Sequence, residues 1–94
     1  MTATLYGDLL AAGVPMDSHE SDLYFADTAD SRAILKRFPD CLSRSRNFEN
    51  LNDHSIWFDV PFAYLPWWER RCAAEAMRAG EIACDIINPG DWRE

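Results

Sequence analysis

Residues 17–22 read Asp-Ser-His-Glu-Ser-Asp, the stretch of this 94-residue chain that comes nearest to a chemical site. Three carboxylates and an imidazole within six positions offer hard and borderline metal ligands. His19 between Asp17 and Glu20, with Asp22 close by, is also where a general base would be built. The spacing matches neither a calcium-binding loop nor a helical H-E-x-x-H pair. Asp, Ser and His are also what a polar turn uses, so the expectation is a loop with no metal and no cofactor.

Cys41, Cys72 and Cys84 are separated by 31 and 12 positions, which fits neither a C-x-x-C redox pair nor a zinc pattern. Reduced thiols packed as small hydrophobes are expected, above all Cys72 and Cys84 among their alanines and isoleucines. Cys72 as a nucleophile would need a base that the sequence does not place beside it. His54 falls at a turn tip, where a solvated imidazole is the plainer reading. No G-x-S-x-G elbow, phosphate loop or H-x-E…P-C-x-x-C signature occurs, so a non-enzymatic role is expected.

The formal charge of −7 is unevenly spread. Residues 1–31 carry Asp8, Asp17, Glu20, Asp22, Asp27 and Asp30 with no Lys or Arg, whereas residues 32–46 set Arg32, Lys36, Arg37, Arg44 and Arg46 against Asp40 alone. An acidic first third repels phosphates and argues against a nucleic-acid or anionic-membrane ligand there; a basic protein partner is compatible with it. The plain alternative is that these carboxylates keep the domain soluble. The cations on the second helix read as a solvated stripe.

The elements that must position these groups follow from periodicity and punctuation. Leu5, Leu9 and Ala12 give a helix over 4–12, capped by Thr2 or Thr4 and stopped by Gly13. Leu23, Tyr24 and Phe25 give a strand. Thr28 opens a second helix with Ile34, Leu35 and Phe38 inward, which Pro39 ends. Residues 40–46 read as a connection. A hairpin over 46–51 and 55–60 turns on Asn52, Asp53 and His54, with Ile56, Phe58 and Val60 on one side and Trp57 and Asp59 on the other. Pro66 starts a third helix running to about residue 79, with Gly80 as its stop. Its inner stripe is either Trp68, Cys72, Ala76 and Ala79 or Ala73 and Met77. Residues 81–87 suit a short strand or helix, and 88–90 a turn. Half of the chain's twelve aromatic residues lie in 56–69, which makes that segment the expected core. The resulting fold class is α+β: one domain with a small antiparallel sheet of about three strands, covered on one face by three helices. A βαβ crossover is the alternative arrangement.

Two segments, GVPMDSHESDLYF at 13–25 and WFDVPFAYLPWWE at 57–69, resemble a family of small uncharacterised proteins carried by phages, plasmids and other mobile elements of proteobacteria. The likeness extends to about Arg71, and residues 72–94 are longer than is usual there. It implies the company of anti-defence genes and thereby an anti-CRISPR inhibitor; it carries over no active-site residue. The implied protein is cytoplasmic, in a bacterial host cell. Its mechanism would be occupation of the basic nucleic-acid-binding surface of a CRISPR-Cas effector by Asp17, Glu20, Asp22, Asp27 and Asp30. Exposed rings among Tyr24, Trp57, Trp67 and Trp92 would anchor the contact, with no direct nucleic acid or membrane contact, as a monomer or homodimer. Two further expectations stand beside it: an accessory module binding an unrelated host or phage protein, and a small hydrolase using His19 or Cys72.

Overall fold

A computed structural model describes residues 3–19 and 22–78. Four strands, β1 (Met16–His19), β2 (Asp22–Ala26), β3 (Arg46–Glu49) and β4 (Ile56–Pro61), form one sheet in the order β1-β2-β4-β3 with every pairing antiparallel. Antiparallel pairing of β2 with β4 replaces the βαβ crossover. The helices are α1 (Leu5–Ala11), α2 (Ala29–Leu35), α3 (Pro39–Arg44) and α4 (Trp67–Arg78), with a 3-10 turn at Phe62–Tyr64. The class is α+β as expected, with four strands in place of three and four helices in place of three. None of the described helices is long and apolar enough to cross a membrane.

Both corrections come from polar-looking segments. Residues 17–22 read as a polar loop, yet the backbone of 17–19 continues from Met16 as β1 and pairs with β2 in the register Met16 with Phe25 and Ser18 with Leu23, while Asp22 opens β2. Residues 40–46 lack an apolar period long enough to signal a helix; Pro39 at the start supplies the fixed φ that opens α3 all the same.

Alternation on the strands divides the sheet into two faces. Met16, Leu23, Phe25, Phe58 and Val60 join Leu5 and Leu9 of α1, Ile34 and Leu35 of α2, Cys41 of α3 and Ala73 and Ala76 of α4 in one core. The opposite face carries Tyr24 and Trp57 packed with Phe48, the Tyr24 and Phe48 rings meeting edge to face at 5.4 Å. Trp57 is 1% exposed there, and its indole N–H donates to the Ser55 hydroxyl.

Caps fix the helices. Thr4 accepts from the Gly7 N–H at 2.8 Å, and Gly13, at φ 72°, ends that turn. Thr28 and Ser31 form a reciprocal capping box on α2. The second hairpin turns as expected, with His54 in the left-handed region at φ 59° and Asn50 buried beneath it, its side chain accepting from the Asn52 N–H at 2.9 Å. The proposed continuation over 81–90, the stop at Gly80, and Cys84 and Trp92 lie outside the described residues.

Candidate binding surface

Glu69 decides which rings reach solvent. It is buried, and its Oε2 accepts from the Tyr6 N–H of α1 at 2.6 Å; the Leu5 N–H bonds to it as well. These amides belong to the first turn of α1, which has no intrahelical partners to offer them. Thr4 meets one orphan donor and a carboxylate from α4 meets two. Burial pushes the Glu69 carboxyl above its ordinary value, with Asp8 adding to the rise and the amide bonds opposing it.

With Glu69 turned inward, the buried stripe of α4 runs Glu69, Ala73, Ala76. A stripe starting at Trp68 would be rotated by one residue, about 100°. The observed stripe therefore leaves Trp67 and Trp68 outside and exposes Cys72, which corrects the placement of Cys72 in the core. Neither of the two expected stripes is found whole: Ala73 comes from one, Ala76 from the other, and Glu69 belongs to neither. Arg70 locks the corner by donating to the carbonyls of Phe62 and Leu65. Leu65 is buried between two exposed neighbours, so Tyr64, Trp67 and Trp68 form an outward ledge within five residues, with Trp67 64% exposed. The Arg44 guanidinium stacks over Tyr64 at 4.8 Å from the ring centroid.

The acidic residues are not gathered in the same way. Asp17 is 2% exposed, on the sheet face that also holds Tyr24, and its Oδ1 accepts from the Ser18 N–H. Asp22 is half-buried and accepts from the Tyr24 hydroxyl at 3.2 Å. Asp27 is bound by Arg32 at 2.5 Å and by Asn47 at 3.0 Å. Asp30 is exposed in the first turn of α2. Tyr24 and Trp57 are buried and present no anchor; among the described rings proposed as anchors, Trp67 alone is exposed. Glu20 lies outside the described residues.

Sequence reasoning passed over two carboxylates. Glu69 is one; the other is Asp59, buried on the second sheet face, bound by Arg46 and neighboured by Asp22. Burial raises the Asp59 carboxyl and Asp22 raises it further, outweighing the Arg46 bond, which in turn raises the guanidinium. A signal for Asp59 existed: it shares the strand side of Trp57.

Cys41 is buried with its Sγ 3.7 Å from the Tyr64 carbonyl, and burial, then Glu69 and Asp40, push the thiol up to about 11. His54 is exposed and faces Glu49 at 3.2 Å. His19 closes β1 opposite Asp22 in the ladder. Among the described residues, no group of three or more His, Cys, Asp or Glu is arranged to hold a metal ion. Comparison with protein-family models, curated proteins and solved structures finds no match.

Proposed function

We propose that the chain is a non-catalytic protein-binding module that docks its partner through the ledge of Tyr64, Trp67 and Trp68. The observation that carries this reading is the exposure of Trp67, a large ring held outward by the burial of Glu69 two positions on, about 200° around α4. A tryptophan buried on contact, on a helix already fixed by its neighbours, supplies apolar area with little ordering cost, and such rings dominate interface energetics.

The narrower reading, an anti-CRISPR inhibitor whose carboxylates replace a polynucleotide on a CRISPR-Cas effector, draws its support from the net charge of −7. Its patch is dispersed: Asp17 is buried and Asp27 is neutralised by Arg32. We therefore propose the module and not the polynucleotide mimic.

The test uses the full chain and a Trp67→Ala variant as baits in a bacterial lysate, with effector–DNA competition as a second arm. A partner held by the wild type and lost by the variant, at equal melting temperature, is expected. Identical retention by both baits would sink the reading. Release of effector-bound DNA by both proteins alike would restore the mimic in its place.

A further inference from the structure

We propose that the outer edge of β3 is a self-association surface, where a second copy of this chain adds its own β3 antiparallel with Phe48 on the twofold axis. The surface uses none of the ledge residues Tyr64, Trp67 and Trp68.

The two edges of the sheet differ. On β1, Met16 and Asp17 are buried and Ser18 is half-buried, whereas on β3 Arg46, Asn47 and Glu49 are exposed and Phe48 is half-buried. Backbone bonds at the hairpin show which groups point out of the β3 edge. The Asn50 N–H donates to the Ser55 carbonyl at 2.7 Å, and the Ile56 carbonyl accepts from the Asp27 N–H, away from β3. Antiparallel ladders alternate, so Arg46, Phe48 and Asn50 bond towards β4, and the N–H and C=O groups of Asn47 and Glu49 point outward. Among the described residues β3 pairs with β4 alone. Such a row is a template for another strand. β3 carries no Pro or Lys to guard it, and its two charged side chains turn to partners of their own hairpin, Arg46 to Asp59 and Glu49 to His54.

The residues on β3 select the register. A twofold axis perpendicular to the sheet keeps the faces matched, so it must pass through a single residue position of the strand. An axis at Glu49 would set two carboxylates directly opposite each other, which is unfavourable. An axis at Asn47 would carry Leu51 past the partner strand to the level of Ser43, inside α3. An axis at Phe48 pairs that ring with its copy and sets Glu49 opposite the Asn47 amide, which has one N–H beyond the bond it gives Asp27. It also brings Leu51, 71% exposed, opposite Ser45 of the second copy, whose N–H and hydroxyl bond the Leu42 carbonyl. The exposed Leu42 and Leu51 then stand at the same end of the contact. A strand that complements itself in charge, ring and register fits a copy of the same chain.

The experiment is sedimentation equilibrium of the full-length chain from roughly 5 to 500 µM, suited to a contact at the small end of interface sizes. A monomer–dimer equilibrium is expected. Asn47→Pro and, independently, Glu49→Pro each remove an outward N–H without touching the β4 ladder, and each should weaken the dimer by about tenfold or more. Register is read in a Cys72→Ser, Cys84→Ser background. Mixing Asn47→Cys with Glu49→Cys chains should give a mixed disulfide, since these positions face each other at about 5.5 Å between Cα atoms, and neither chain should cross-link with itself. If a proline variant fails to fold, the disulfide pattern decides. A monomer throughout, a dimer indifferent to both prolines, or self-cross-linking in place of the mixed disulfide would overturn the proposal. Trp67→Ala should leave the dimer unchanged; loss of the dimer on that change would move self-association to the ledge and overturn it at β3.

Discussion

Glu69 couples two helices through one carboxylate, and its environment sets the sign of two expectations. Glu69→Gln keeps an acceptor for the α1 amides and removes a buried charge, so stability at pH 7 should hold or rise by up to about 1 kcal/mol. Glu69→Ala strands those donors and should cost about 1–3 kcal/mol, both read by urea denaturation. The pH dependence follows from linkage. A carboxyl whose folded pKa is raised keeps its proton in the native state above the pH where the unfolded chain has lost it. Its contribution therefore weakens as pH rises from the ordinary carboxylate range through the folded value. Wild type should lose stability relative to Glu69→Gln across that window, and a difference flat in pH would contradict the burial. Asp59 acts with the same sign, and Asp53, exposed and lowered by its bonds from Ser55, with the opposite one.

Among the elements, α1 shows how a local rule and its exception meet. Glycine inside a helix costs about 1 kcal/mol relative to alanine, which alone would make Gly7→Ala stabilising. A Cβ on Gly7 would lie 2.6 Å from the Thr4 hydroxyl that caps the same turn. The cap must shift or break, at a cost of about 0.5–2 kcal/mol that offsets the helical gain, so Gly7→Ala is expected to leave stability within about 1 kcal/mol of wild type and not to raise it by the full helical increment, as measured by thermal denaturation. Helix α1, α2, the second hairpin and α4 were legible because each has a cap or turn signal and an apolar period. Strand β1 was not: with Met16 as its lone apolar residue, its identity comes from the ladder that β2 offers it. α3 has a start signal in Pro39 but is too short to show a period.

Over the whole molecule, part of the charge imbalance written along the chain is cancelled in space: Asp17 turns inward, Asp27 meets Arg32 and Asp8 meets Arg37. The same folding separates the thiols. Cys41, enclosed by α3 and the 3-10 turn, reacts when the fold opens, whereas Cys72 lies on the outer side of α4. In a Cys84→Ser background, a thiol reagent at neutral pH should modify Cys72 promptly and Cys41 only under denaturant, as followed by mass spectrometry. Equal rates at the two would contradict the packing of α3 against the segment that carries the ledge.

The sequence by itself determined the α+β class, the capped helices, the second hairpin and its two faces, because these depend on neighbours within a few residues. It also carried the clustering of rings between residues 56 and 69, though not which of them stay wet. Tertiary structure decided that, by giving Glu69 the unpaired amides of α1 and so turning α4 until Trp67 faced outward. Side-chain exposure on a helix depends on which stripe finds partners across the core, and a carboxylate with two donors waiting outweighed the apolar alternative beside it.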